Sequence, residues 1–484
     1  MGNRETMALA VAGWALAVGC AHGRDAEPAA GASIEAPDDA LKSCPGGDAA
    51  AAWVRLRQLE GQSGDQGLNR QQAELALGQA LYCMGFYSPA LATLDRSVRR
   101  EGLRTSLDRT VADALERIDD RTPAHPIHSE VLRWLVFLSR RLPDWQEVLE
   151  PIGASQRADL DRPELADVRD DLLYLGGLAR YRQGRFKDAV ELFALIPATS
   201  RLAVKARLFE GATHVREYQA GPAVAAFKEA LRISTGSQDP RLARFRDLAN
   251  ISLARTFYST GQFELAIKHY DQIPPASVYF SQRLFEAAWA NFMIDNHAKA
   301  VEHLRVLEAQ AGDVAPEVNS EALLLKAAML SSDGFQLQAT AAIDAFNATV
   351  PQLYRQLKTL LEATPDDGAS FALAVRVRAR ASGLPPAAER AAAHATSDRQ
   401  MTIRFAHVQA VQDELVRYER ADAAWKDSAL GRFVLADLTI GKSEAVKDAG
   451  DLFRRRIKRL TEELGQQIKR LIQIPWEPIF LDKD

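Results

Sequence analysis

The 484-residue chain has no stretch that alternates apolar and polar residues far enough to make a useful β-strand, and only 7% of it is aromatic. Sheet-based classes are left without their elements. Cysteine is confined to Cys20, Cys44 and Cys83. A surplus of positive charge is also missing: the formal net charge is −4, which gives no global attraction to DNA or RNA. The motifs of catalysis are absent as well. There is no G-x-S-x-G elbow and no H-E-x-x-H zinc pair. Gly441-Lys442-Ser443 resembles the end of a phosphate loop, but Ala436 stands where the earlier glycine belongs and no apolar strand leads in. His125 and His128, in HPIH, have no further ligand at metal spacing and read as surface histidines of a loop. These absences predict a protein that is not an enzyme and that needs no cofactor or metal. What the chain does have is 47% hydrophobic and 26% charged residues, rich in Ala, Leu, Glu and Arg, all good helix formers.

It also repeats itself. YRQGRFKDAVELFALIP begins at Tyr181 and YSTGQFELAIKHYDQIP at Tyr258, matching at Gly184 and Gly261, Phe186 and Phe263, Ala189 and Ala266, and Pro197 and Pro274. The copies are 77 residues apart (261 − 184). RLFEGATHV from Arg207 returns as RLFEAAWAN from Arg283, 76 residues on (283 − 207). Half of that spacing, about 38 residues, is one helix pair per unit and the mark of a solenoid. Each glycine permits the tight turn between antiparallel helices. Ala189 with Phe193, and Ala266 with Tyr270, fall on one face of the second helix, and the prolines then stop it.

A small residue precedes an alanine by twelve positions in Gly78 and Ala90, Gly177 and Ala189, Gly211 and Ala223, Ala254 and Ala266, and Ala288 and Ala300. Five matches in phase resemble the tetratricopeptide repeat, although Leu94 and Leu304 replace its aromatic. An ordinary helical bundle would not keep the register. The expected fold is all-α: a tetratricopeptide-like helical-repeat solenoid over residues 51–350, with a long-helix C-terminal cap over 351–484. Length alone suggests about three domains, but a solenoid grows without separate cores. In the resembling family, the first helix of each pair lines the partner-binding face. That register implies a groove of Tyr174, Tyr181, Arg182, Arg216, Arg255, Tyr258, Phe285, Trp289 and Phe292, with the arginines as a basic stripe for an acidic or extended peptide. The other reading is that the aromatics pack between helices and only the arginines reach solvent.

The N-terminus is uncharged from Thr6 to Gly19, too short for a membrane span of about 20 residues. A short apolar segment after Arg4 that ends in small residues reads as a secretory signal, residues 1–20. Leu16-Ala17-Val18-Gly19-Cys20 resembles the lipobox of bacterial lipoproteins, with Ala17 at the place where that family prefers leucine. The resemblance implies lipidation at Cys20. Ala21, where an aspartate would retain a lipoprotein in the inner membrane, implies the outer membrane, periplasmic side. A plain cleaved signal and N-myristoylation at Gly2, with Thr6 completing that pattern, are the alternatives. Residues 21–50 are small and polar, a flexible tether. In an oxidising compartment Cys44 and Cys83 either bridge the tether to the first repeat or stay as two thiols.

Near the C-terminus, Ile457, Leu460, Leu464, Ile468 and Leu471 make a narrow apolar seam for a partner helix, and the run Arg454 to Arg459 reads as a solvated face. This piece is expected to fold back on the solenoid as a helical hairpin. Lipobox, repeats and long C-terminal helices together are similar to the tetratricopeptide-repeat lipoproteins of the bacterial adventurous gliding-motility machinery. That similarity implies a non-enzymatic periplasmic scaffold that binds envelope proteins. An accessory lipoprotein of outer-membrane β-barrel assembly is the alternative.

Overall fold

The computed structural model describes residues 53–54, 67–98, 126–235, 239–310 and 316–473; the signal, the tether, His125, Cys20 and Cys44 lie outside them. The described residues are helical, with no strand among them. The longer helices are α1 (Gly67–Cys83), α2 (87–98), α3 (Pro126–Arg141), α4 (Arg169–Arg182), α5 (Phe186–Ala194), α6 (Ala203–Arg216), α7 (Ala220–Thr235), α8 (Ala243–Ser259) and α9 (Phe263–Tyr270). They continue as α10 (Phe280–Met293), α11 (His297–Ala309), α12 (Pro316–Ser332), α13 (Gln336–Ala363), α14 (Asp367–Arg378), α15 (Pro386–Ser397), α16 (Arg399–Glu419) and α17 (Ala429–Gln473).

Among the described residues one local device recurs six times in the repeats, and a similar turn at Arg380, where the Ala381 amide donates to the Arg376 carbonyl at 2.9 Å, ends α14 outside them. After the first helix of a pair the chain passes through positive φ at Gly85, Gly184, Tyr218, Gly261, Asp295 and Gly334. The next amide donates back to the carbonyl five residues earlier: Phe86 to Leu81, Arg185 to Arg180, Gln219 to His214, Gln262 to Phe257, Asn296 to Asn291, and Phe335 to Leu330, at 2.8–2.9 Å. This is the closure that satisfies the last carbonyls of a helix and reverses the chain. Glycine adopts the left-handed conformation without steric cost, and aspartate enters it more readily than most residues. Tyr218 holds it at φ 60° with 94% of its surface exposed.

Four residues after each closure comes an alanine, and Ala90, Ala189, Ala223, Ala266, Ala300 and Ala339 are all at most 1% exposed. Twelve residues before each alanine is the small residue that lets the paired helices approach. A Cβ on Gly177 would lie 2.5 Å from the Phe193 ring, one on Gly211 2.4 Å from the Phe227 ring, and one on Gly78 2.7 Å from the Leu94 side chain. The large side chain four positions after the alanine therefore occupies the space left by the missing one. The sixth copy, Ala327 with Ala339, extends the register beyond the five pairs read from sequence; Ile343 stands there at the aromatic position.

Of the described residues, those up to Phe245 with Ile403–Ala445 form one compact unit, and 246–402 with 446–473 form the other. In the first unit, α4, α5, α6 and α7 pack in chain order. Its core also takes Val411 and Tyr418 from α16 and Leu430, Val434 and Leu438 from α17, alongside Leu77, Leu81 and Trp134. Trp425 stacks on Phe86 with ring centroids 5.6 Å apart. In the second unit α9, α10, α11, α12 and α13 pack in chain order. Ile457 and Leu464 of the apolar seam are fully buried, and Gln467 is held by Ser320 Oγ and by the Glu317 carbonyl at 3.2 Å.

Within the first unit a residue of α16 closes the start of α2. The Glu414 carboxylate, 4% exposed, accepts the Ser88 amide at 3.3 Å and the Ser88 hydroxyl at 3.3 Å. Burial pushes its pKa up to about 7, against the opposing pull of the Ser88 and Tyr87 amides and of Arg417. Because the folded value lies above the ordinary 4.5, the stability contributed by the protonated acid is fully present below pH 4.5 and is lost as pH rises through 7. The loss amounts to about 3 kcal/mol at most. Urea unfolding at pH 5 and pH 8 should therefore show wild type losing more stability than Glu414→Gln over that interval. Parallel losses would remove Glu414 from the account.

Candidate functional site

The aromatics assigned to the groove are spent largely on packing. Tyr174 is 3% exposed, with ring centroids 6.0 Å from Phe209 and 6.2 Å from Phe193. Tyr181 is half-buried between Phe186 at 5.8 Å and Phe209 at 6.1 Å. Phe285 and Trp289 are buried, and half-buried Phe292 meets Trp289 edge-on at 6.0 Å and stacks on His297 at 5.3 Å. Tyr258 is set edge-on to Phe263 at 5.2 Å, and its hydroxyl is buried without a partner among the described residues. Burial raises the pKa of that hydroxyl, so it stays a neutral phenol.

The three arginines have different surroundings. Arg182 is exposed and donates to the Gln146 side chain. Arg216 is exposed, with its guanidinium 5.7 Å from the Phe186 ring centroid, inside the range of a cation–π contact. Arg255 belongs to the other unit and is half-buried. Its Nη2 lies 2.6 Å and its Nε 2.9 Å from the two oxygens of Glu286, which also accepts the Tyr270 hydroxyl at 2.9 Å. Burial works against the Arg255 charge, but the Glu286 carboxylate outweighs it and the pKa rises. Arg255 is thus an anchored member of a polar cluster rather than a projecting one.

A concave site that no sequence motif announced lies in the first unit. It is a cleft of about 640 Å³ lined by α3 and by the residues around the start of α4, with Ser200 and Arg201 beside them. Asp171, its side chain 5% exposed, accepts Arg201 Nη2 at 2.7 Å through both oxygens and Arg140 Nη2 at 3.4 Å. Arg133 donates to Glu130 and, at 3.1 Å, to Asp167. Trp134 and Phe137 add aromatic wall, and Trp134 Nε1 donates to Glu130 at 3.1 Å. The cleft can bind charge of both signs, and it presents no nucleophile paired with a base.

The remaining sequence candidates resolve simply. Pro126 begins α3, so His128 sits in that helix and is 7% exposed, 3.9 Å from Asp159; it is a buried histidine and not a loop residue. The first helical position suits proline because its missing N–H has no partner to lose there. Gly441-Lys442-Ser443 lies inside α17, where Lys442 donates to Gln412, so there is no phosphate loop. The basic run pairs along and across its helix, Arg455 with Asp451 at 2.8 Å, Arg459 with Glu463 at 2.8 Å, and Arg456 with Asp398 at 2.6 Å. Cys83, at the end of α1, is in a disulfide. Among the described residues no group of His, Cys, Asp and Glu could hold a metal ion, and no helix is long and apolar enough to cross a membrane.

No family model matches the chain, and no curated protein does. Among solved structures, it is similar to a Rap protein complexed with competence and sporulation factor, with 11% identity over 82% of this chain and 99% of that one and a TM-score of 0.28. It is also similar to a circular tandem repeat protein with novel repeat topology, with 13% identity over 88% of this chain and 98% of that one and a TM-score of 0.15. Scores this low carry no argument; the all-helical repeat fold rests on the six recurring turns.

Proposed function

We propose that the chain is a non-enzymatic scaffold lipoprotein, anchored through a lipid on Cys20 to the periplasmic face of the outer membrane, where its repeats bind envelope proteins as part of a gliding-motility complex. The repeats carry the protein-binding half of this reading. Stacked helix pairs present an extended surface whose size grows with the number of copies, and a partner rather than a small substrate uses such a surface. The Gly19-Cys20 junction behind its apolar run supports the anchor, and the disulfide at Cys83 fits an oxidising compartment.

Two measurements test the reading. Cys20→Ala should abolish labelling by a fatty-acid probe and release the protein from membranes; labelling that persists in the variant refutes the anchor. Affinity purification from detergent-solubilised envelopes should recover motility-complex components. Recovery of β-barrel assembly components instead would replace the pathway while keeping the scaffold.

A further inference from the structure

The cleft beside α3 holds two charge clusters of opposite excess. Around Asp171 two guanidiniums, Arg140 and Arg201, share one carboxylate. Only Nη2 of Arg201 is engaged, leaving Nε and Nη1 without a hydrogen bond among the described residues, and Nε of Arg140 is buried without an acceptor. Around Arg133 the balance reverses, because one guanidinium serves both Glu130 and Asp167, and Asp170 lines the same cleft with only Arg169, at 3.5 Å, as ion-pair partner among the described residues, a guanidinium that Asp161 also engages. Arg133 and Arg140 are seven residues apart on α3, two turns along one face, which separates the clusters by about 10 Å.

An arginine fork with unspent donors is suited to a carboxylate, and surplus carboxylates are suited to an ammonium or guanidinium. A polyanion would satisfy the first cluster and be repelled by the second, and an apolar chain would satisfy neither. We infer that the cleft binds an extended peptide segment carrying one acidic and one basic side chain about three residues apart, since a polyproline II segment, with three residues per turn and a rise of about 3.1 Å per residue, puts both on one side at that spacing. The acid meets Arg140 and Arg201 and the base meets Asp167 and Asp170. The inference rests on the protein-binding reading above and names the chemistry of the partner segment.

The test uses the full chain and acetylated, amidated, fluorescein-labelled octapeptides. One holds Glu and Lys separated by two uncharged residues, and matched peptides replace Glu, Lys or both by Gln. In anisotropy titrations at low salt the Glu/Lys peptide should bind at least tenfold more tightly than the double-Gln peptide. Arg201→Gln should erase the preference for Glu over Gln while keeping that for Lys, and Asp167→Asn should do the converse. Such residue-by-residue coupling is not produced by a general loss of structure. Removing Arg201 alone leaves Asp171 less compensated, so the paired variant Asp171→Asn with Arg201→Gln should fold and show the same loss of Glu preference. Equal binding of all four peptides to wild type, or an equal loss of all four in Arg201→Gln, overturns the inference. In either case, wild-type recovery of envelope partners by the Arg201→Gln protein would leave the scaffold reading standing.

Discussion

Gly450→Ala should destabilise the protein by about 2 kcal/mol or more, whereas Gly441→Ala in the same helix should stabilise it by up to about 1 kcal/mol. A Cβ on Gly450 would fall 1.8 Å from the carbonyl oxygen of Asp367 and 2.6 Å from its carbonyl carbon. The obstruction is backbone, at the first residue of α14, whose start is fixed by the Asp366 side chain accepting the Ala369 amide at 2.8 Å. No rotamer change relieves it, so either α14 or α17 has to move. Gly441 has nothing within 4 Å of its Cβ position, and there alanine brings only its better helix propensity. Urea midpoints of the two variants decide the matter. Equal shifts of the same sign would mean that α14 does not approach α17 so closely.

Arg255→Ala is the second large effect. It should cost about 2 to 3 kcal/mol, somewhat below the 3 to 5 of a fully buried pair, because Arg255 and Glu286 keep 20% and 19% of their side-chain surface. The loss leaves the largely buried Glu286 with only the Tyr270 hydroxyl as hydrogen-bond partner among the described residues. Arg182→Ala and Arg216→Ala, both at exposed positions, should each stay within about 0.5 kcal/mol of wild type. Adding Glu286→Gln to Arg255→Ala should recover part of the stability, since a neutral amide still accepts from Tyr270 without needing a countercharge. If Arg255→Ala melts with Arg182→Ala, the ion pair contributes nothing to the fold.

These arginines also mark where sequence reasoning stops. Twelve-residue spacing from a small residue to an alanine is local, so it survives in the one-dimensional text, and Gly177 with Ala189 or Gly211 with Ala223 could be read directly. The sixth pair, Ala327 with Ala339, lies in an alanine-rich stretch where a small residue twelve positions before an alanine stands out less. Which first-helix residues face solvent depends on the neighbouring pair, and Glu286 lies 31 residues beyond Arg255. The cleft is illegible for the same reason: Arg133 and Arg140 come from α3, Asp167 from the approach to α4 and Asp171 from its first turn, and Arg201 from the approach to α6, with no fixed interval among them. The return of α16 to the first repeat, by a bond from Ser88 to Glu414 across 326 residues, has no sequence signal at all.

That return has a kinetic meaning. The core of the first unit is built from residues up to Phe245 and from 403–445, so it cannot close when Phe245 leaves the ribosome. It must wait for 200 further residues (445 − 245), roughly 10 to 40 s at ordinary rates of synthesis. During that interval Phe86 lacks the Trp425 ring that later stacks on it, and Trp53 lacks Phe433 of α17. A nascent chain in this condition offers apolar surface to chaperones, and a chain cut before Val411 never leaves that condition. A stop codon within the stretch that encodes 403–438 would therefore uncover the first repeats, although it lies far downstream of them.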